Sequence, residues 1–346
     1  MKFKKLLTLG LVTVLSGSML VGCGASKGSS GDKENGNKKI KVTMITDVGG
    51  VNDQSFNQSA WEGLEKAKKD LGIEANYIES KQESDYATNV ETAIDNGADL
   101  VIGVGFKLEK AIGDAAKAYP EEKFALIDAD FGGKPPKNVE SIMFNAQEAS
   151  YLVGLVAGKL TESNKVGFVG GMESPLIESF EVGYEAGVKA VKPDAVVVAQ
   201  YANNFADPAK GKSITNQMIS NGVDIVFHAA GDTGNGVIEA AKEAGKKAIG
   251  VDRDQNSIAP ETVITSAVKR VDVGVYNTVK NLVDGKFEGG SVVTYGLNEN
   301  GVGVAETTKE DVAPDILEFV NQQGDKIKSG EIKVPATKAE LEKTQK

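Results

Sequence analysis

Two phenylalanines and two aspartates stand at matching places in this 346-residue chain, each pair 124 residues apart. Phe56 and Phe180 each follow a serine, in Ser55-Phe56-Asn57 and Ser179-Phe180-Glu181. Asp128 and Asp252 each close an apolar run, Leu126-Ile127-Asp128 and Gly250-Val251-Asp252. Two phenyl rings that face each other can hold a flat ring between them, each stack worth about 1–3 kcal/mol by analogy with base stacking. A carboxylate at a strand end accepts hydrogen bonds from ring N–H or sugar hydroxyl groups. Each residue also has a plainer reading. Phe56 could be core, and Asp128 and Asp252 could cap helices or turns, the roles expected of Asp130 and Asp254 two places further on. Ser174-Pro175 reads as an N-cap and first helical position, which would start the second helix a turn early and could aim Phe180 elsewhere.

Phe56 ends a loop that runs from Asp47 through Gly49-Gly50 to Asp53-Gln54-Ser55. The glycines permit a tight turn, and Ser55-Phe56-Asn57-Gln58 has the Ser-x-x-Gln form of a capping box. Phe56 and Asn57 would then lie in the first turn of that helix, near any ligand held at the strand ends. Gly231, in Gly231-Asp232-Thr233-Gly234-Asn235-Gly236, opens a second strand-to-helix turn whose amide could touch a ligand, but the turn lacks the dinucleotide fingerprint.

Enzymatic and metal readings find less material. Ala206-Asp207-Pro208-Ala209-Lys210-Gly211-Lys212-Ser213 resembles a relaxed phosphate-binding loop, which would make Lys212 the key residue of an extracytoplasmic ATPase. Asp207-Pro208 reads instead as a helix start that draws Gly211, Lys212 and Ser213 into a helix. The single histidine, His228, sits in an apolar strand and reads as a core residue. The single cysteine, Cys23, lies near the N-terminus, so the body holds no thiol for a metal site or a nucleophile. We expect no cofactor, no metal and no catalysis.

The elements that position these residues follow from the same spacing. Lys41–Thr46 lines up with Lys165–Gly170, Tyr77 with Tyr201, and Asn96–Val101 with Asn221–Val226, at offsets of 124 to 125. A repeat this long is a whole domain. Strand-like runs at 40–46, 73–78, 99–104, 123–128, 139–145, 165–170, 195–201, 224–230, 247–252, 263–268 and 291–296 alternate with helical stretches, which predicts an α/β fold of two doubly wound parallel-sheet lobes. Between the first two runs, Ala60, Leu64, Ala67 and Leu71 recur as one buried helical face, with Trp61 packed beside it. Helices are expected near 272–283 and 316–322. The expected division is 40–146 plus 254–289 for the N-terminal lobe and 147–253 plus 290–346 for the C-terminal lobe. Ligands of open parallel sheets bind beyond the carboxyl ends of the strands, so facing lobes would share one cleft.

Before residue 40 the chain reads as an export and anchoring segment. Lys2, Lys4 and Lys5 precede an apolar run of 16 residues, Leu6–Val21, short for a membrane span and typical of a signal peptide over 1–22. Leu20-Val21-Gly22-Cys23 resembles a lipobox, in which Cys23 would carry the lipid, and residues 23–39 read as a flexible tether. Removing 1–22 takes three lysines and no acid, so the net charge moves from −10 to −13. Nucleic acid and anionic lipid are poor partners for such a chain.

Taken together, Asp47-x-Gly49 through Asp53-x-Ser55-Phe56-Asn57, Phe180-Glu181-Val182-Gly183-Tyr184-Glu185-Ala186-Gly187, Ala229-Ala230-Gly231, Gly250-Val251-Asp252-Arg253-Asp254-Gln255 and Ile264-Thr265-Ser266-Ala267-Val268-Lys269 resemble the basic membrane protein family, nucleoside-binding lipoproteins of ATP-binding-cassette importers. The resemblance implies a type I periplasmic-binding-protein fold with three crossings between lobes that close over a purine nucleoside such as adenosine, guanosine or inosine. It implies that Phe56 and Phe180 sandwich the base, that Asn57 and Asp128 address its polar edge with Asp47 assisting, and that Asp252, Lys269 and the Gly231 amide hold the ribose. By its position alone Lys269 could equally be a surface lysine. Asn57 against Glu181, and Asp47 against Gly171, break the repeat's symmetry, as expected if one lobe reads a base and the other a sugar. The implied partners are ABC permease subunits and the membrane through the lipid alone, with the protein a monomer on the outer face of the cell membrane. A sugar or signalling-molecule receptor of the same fold is the alternative.

Overall fold

The computed structural model describes residues 39–344. The expected signal peptide, the lipidated Cys23 and the tether up to residue 38 lie outside the described residues.

Among the described residues, twelve strands form two six-stranded sheets. The first holds β1 (Lys41–Ile45), β2 (Glu74–Ile78), β3 (Leu100–Val104), β4 (Phe124–Ile127), β5 (Val139–Phe144) and β11 (Val292–Tyr295), in the order β11-β5-β4-β3-β1-β2. The second holds β6 (Lys165–Gly170), β7 (Val196–Tyr201), β8 (Ile225–Ala229), β9 (Lys247–Asp252), β10 (Val263–Lys269) and β12 (Val302–Val304), in the order β12-β10-β9-β8-β6-β7. Every pairing is parallel except β10 with β12. The two orders are the same permutation. β3 and β4 are buried along their whole length, as parallel strands covered on both faces must be.

The helices are α1 (Phe56–Leu71), α2 (Tyr86–Asp95), α3 (Glu109–Ala118), α4 (Ala146–Leu160), α5 (Pro175–Val191), α6 (Pro208–Ser220), α7 (Thr233–Glu243), α8 (Val271–Val283), α9 (Thr308–Asp311), α10 (Pro314–Lys328) and α11 (Lys338–Thr344). On α1, Ala60, Leu64 and Ala67 are fully buried and Leu71 is half-buried. Trp61 packs at the edge of that face, its ring centroid 4.9 Å from that of Tyr77.

The repeat runs further than its sequence echo. β5 and β10 each leave the preceding strand through a loop without an α-helix, and each feeds a helix that crosses to the other lobe. α4 leaves the first sheet and packs on α5, while α8 leaves the second and packs on α1. Both helix pairs come close enough to need glycine. A Cβ on Gly187 would stand 2.1 Å from the Tyr151 carbonyl oxygen, and one on Gly63 would stand 2.3 Å from that of Asp272. These glycines are themselves 124 apart, so helix swapping is part of the repeated unit.

The observed sheets therefore divide the chain differently from the expected boundaries at the two later crossings. Val263–Lys269 pairs with β9 in the second sheet, and Val292–Tyr295 pairs with β5 in the first. The expected division ended the second copy at residue 253, one strand too soon, because the fifth strands share no residue identities strong enough to extend the echo. The chain crosses at Asn145, at Arg270 and between Tyr295 and Val302. The three-residue β12, too short to show a period, had no counterpart among the expected strands.

Candidate functional site

The carboxyl ends of the two sheets face each other across one narrow cleft, with a cavity volume of about 50 Å³. All eight expected residues line it: Asp47, Phe56, Asn57, Asp128, Phe180, Gly231, Asp252 and Lys269.

The first lobe's share is built on the loop before α1. Gly50 takes φ +70°, and its amide donates to the Asp47 carbonyl at 3.3 Å, closing the expected tight turn. The capping differs from expectation. Ser55 makes no side-chain cap, and Asp53 takes that role. Its Oδ1 accepts from the amides of Ser55 at 2.9 Å and Gln58 at 3.1 Å, and its Oδ2 accepts from the Asn57 amide at 2.9 Å. A carboxylate two residues upstream reaches three free N–H groups, where the short serine side chain reaches none. Ser55 is thereby released, and its hydroxyl donates across the cleft to Asp252 Oδ2 at 2.5 Å.

Asn57 is also tied down. Its Nδ2 donates to Asp47 Oδ1 at 2.8 Å and Asp53 Oδ2 at 3.0 Å, while its Oδ1 accepts from the Asp47 amide at 3.2 Å. Both amide hydrogens are spent within the protein, so Asn57 offers a ligand only an oxygen lone pair. Asp47 keeps Oδ2 as its second acceptor, since Oδ1 already serves Asn57 and the Gly49 amide at 2.8 Å.

Asp128 and Asp252 share an unusual backbone. Both are left-handed, with φ of +64° and +62°, a conformation that costs a non-glycine residue energy and concentrates at functional sites. Between them lies Lys269, 3% exposed, not a surface lysine. Its ammonium stands 2.6 Å from Asp128 Oδ2 and 3.6 Å from Asp252 Oδ1. It also lies over three rings, 4.4 Å from the centroid of Phe56, 5.6 Å from Phe180 and 5.7 Å from Phe144. Asp128 Oδ1 is buried and has no hydrogen-bond partner. Asp130 serves a local turn, accepting from the Gly132 amide, while Asp254 accepts from the Asn256 amide and from the hydroxyl of the distant Thr307 at 2.7 Å.

Burial dominates the electrostatics. It pushes the carboxyl groups of Asp47 and Asp128 above the ordinary range, and Asp53 up to about 7. For Lys269, burial alone would release the proton, but the combined pull of Asp128 and Asp252 carries its pKa above the ordinary value. The ammonium is charged and shared between the lobes.

Phe180 lies in the second turn of α5, which begins at Pro175 with Ser174 accepting from the Ile177 amide at 3.3 Å. The early start does not take the ring out of the cleft. Phe180 is nearly fully buried and leans on Phe227, their centroids 6.4 Å apart. A further ring escaped the sequence reading. Phe205, half-buried after β7, lines the cleft and meets Phe106 of the first lobe edge-on at 6.2 Å. Lys107 joins them, 5.9 Å from the Phe205 centroid and paired with Glu83 at 2.6 Å. These residues have no repeat partner of like chemistry, so the echo that exposed Phe56 and Phe180 passes over them.

The residues proposed for ATPase chemistry lie elsewhere. Asp207 caps α6 by accepting from the Lys210 amide at 2.9 Å, and Lys212 pairs on the surface with Glu239 and Glu243 at 2.9 Å each. His228 is fully buried.

Comparison with known proteins places this architecture. The family model for ABC transporter substrate-binding proteins of PnrA-like type matches residues 40–338. The CD4+ T-cell-stimulating antigen of Listeria monocytogenes is 43% identical, covering 96% of this chain and 99% of its own. The ABC transporter nucleoside-binding protein BmpA of Lactococcus lactis is 38% identical over 96% of this chain and 99% of its own. Basic membrane protein A of Borreliella burgdorferi is also 38% identical, over 91% and 93%. Among solved structures, an ABC transporter solute-binding protein from Aeropyrum pernix superimposes with a TM-score of 0.80 at 31% identity, over 88% of this chain and 96% of that one. A match that spans both lobes, and relatives alike from end to end, make this chain a member of the PnrA-like family of ABC transporter substrate-binding proteins, which are receptors and not enzymes.

Proposed function

We propose that this protein captures a purine nucleoside by closing its lobes and delivers it to the membrane subunits of an ABC importer. The observation that carries the reading is the unpartnered, buried Asp128 Oδ1 in a cleft walled by Phe56, Phe180 and Phe205. Aromatic walls suit a planar base, and a free carboxylate oxygen suits an N–H donor on its edge. Asp252 and Lys269 supply one acceptor and one donor for ribose hydroxyls, beside the Gly231 amide. The nucleoside-binding relative from Lactococcus lactis supports the same reading. Asp47, Asp53, Asp128 and Asp252 against Lys107 and Lys269 make the cleft acidic, which disfavours a phosphorylated ligand. In this reading the receptor is a monomer held outside the cell membrane by a lipid on Cys23.

Bound ligand stabilises the native state by RT ln(1 + [L]/Kd), about 2.7 kcal/mol at one hundred times Kd. A melting-temperature panel of nucleosides, free bases, ribose and nucleotides, on protein stripped by unfolding and refolding, tests the proposal. Purine nucleosides should raise the melting temperature by several degrees. Absence of a shift with every nucleoside would sink the reading, and an equal shift with ribose alone would turn it toward a sugar receptor.

A further inference from the structure

Three consecutive residues of the first lobe, Asp53, Gln54 and Ser55, are each held by a different side chain of the second. The Asp53 carbonyl accepts from Asn235 Nδ2 at 3.2 Å, the Gln54 carbonyl from Gln255 Nε2 at 3.0 Å, and the Ser55 hydroxyl donates to Asp252. Phe56 follows directly. Neither Gln255 nor Asn235 is among the residues lining the cleft, so two of the three grips are made by groups that a ligand does not touch.

Gln255 is built for this contact. It is 1% exposed, and its Oε1 accepts from the Val251 amide at 2.9 Å, which fixes which end of the carboxamide points inward. His228 Nε2 stands 3.0 Å from the same oxygen and must therefore carry the proton. With Oε1 committed twice, the NH₂ end is aimed at Gln54, whose φ of +57° is left-handed for a non-glycine residue. The strained turn presents its carbonyl to the opposite lobe.

Such bonds exist only while the lobes are together. We infer that Gln255, oriented by His228 and Val251 and seconded by Asn235, is a closure residue that sets how long a ligand is retained by gripping the Asp53–Gln54 carbonyls in the closed state alone. The inference rests on capture by lobe closure, as proposed above, but not on which ligand is captured. A bond present only in the closed state adds to the differential affinity that drives closure. Its loss should appear in the dissociation rate far more than in the association rate.

The test is Gln255→Glu. The variant keeps an acceptor for Val251 and His228 but turns a carboxylate oxygen toward the Gln54 carbonyl. Asn235→Ala, at a less buried site, removes the neighbouring grip without adding charge. Stopped-flow kinetics with the purine nucleoside that most stabilises the wild type should show dissociation faster by about tenfold or more in Gln255→Glu, and by a few-fold in Asn235→Ala, with association changed less than threefold. Burial of Gln255 means that Gln255→Glu also lowers the ligand-free melting temperature, so each variant's ligand-induced shift is taken against its own ligand-free value, and Asn235→Ala supplies the uncharged comparison. Unchanged dissociation in both variants, or a loss confined to association, overturns the inference. A wild type that binds no nucleoside overturns the proposed function instead. The grip is then read from small-angle scattering of ligand-free wild type and Gln255→Glu, where a larger radius of gyration in the variant is expected and equal radii overturn it.

Discussion

Replacing Lys269 by methionine keeps the length of the side chain and removes the charge that joins the two lobes. At an effective dielectric constant near 20, a contact of 2.6 Å with Asp128 represents about 6 kcal/mol of gross attraction, and one of 3.6 Å with Asp252 about 5 kcal/mol. Desolvation of three buried charges cancels much of this, and the loss of one partner from a buried pair usually costs about 3–5 kcal/mol. For a body of this size that corresponds to a melting temperature lower by about 6–10 °C at pH 7. The pH dependence identifies the cause. Burial already raises the Asp128 pKa, and without the ammonium it rises further. The native variant then keeps a proton that the unfolded chain releases near its ordinary pKa of 3.8. Its stability is complete below that value and is lost as pH rises toward the folded pKa, so its deficit against the wild type should shrink as pH falls from 7 to 5. Thermal unfolding of both proteins at pH 5, 6 and 7, without ligand, measures it. A variant as stable as the wild type at pH 7, or a deficit that is the same at every pH, would refute the electrostatic account of this site.

The other expectations concern single residues. Phe56→Ala removes a stacking face that is itself partly exposed to the cleft, and should weaken purine nucleoside binding by about 1–3 kcal/mol, roughly 5- to 150-fold, while Phe56→Tyr retains most of it; calorimetric titration measures both. Phe205→Ala should weaken binding with little loss of stability because its ring is half-buried, whereas Phe180→Ala, in the core against Phe227, should also lower the melting temperature. His228 is held neutral by burial, its pKa pushed down to about 4 from 6.5. Because the unfolded chain binds that proton more readily, the wild type should lose about 3 kcal/mol as pH falls from 6.5 through 4, and the difference between wild type and His228→Gln in acid-unfolding curves should be flat outside that window.

The sequence made the architecture legible because the chain states it twice. Apolar runs alternating with helical stretches predicted eleven of the strands, and the matched pairs Phe56 with Phe180 and Asp128 with Asp252 led to the two strand ends that share the cleft. What the echo could not carry was whatever the lobes do not share. Phe205, Phe106 and Lys107 come from loops without a counterpart of like chemistry, and the later crossings depend on strand pairing, which periodicity does not reveal. Asp53 was visible in the motif, but its capping role was not. Serine and aspartate both cap helices, and only the backbone geometry of Gln54 and Ser55 decides which one reaches the free amides. Lys269 looked ordinary beside Arg270 because its burial depends on Asp128, from a distant part of the chain, and on Asp252 at the end of the neighbouring strand.

The central claim is that one cleft, made by both lobes, reads a base and a ribose together. Isothermal titration of the refolded, ligand-free protein with a purine nucleoside, and separately with its free base, with ribose and with its 5′-monophosphate, tests that claim most directly. The nucleoside should bind with one site per chain and at least tenfold more tightly than each of the other three. No binding of any purine nucleoside, or binding of ribose or the monophosphate as tight as that of the nucleoside, would contradict it.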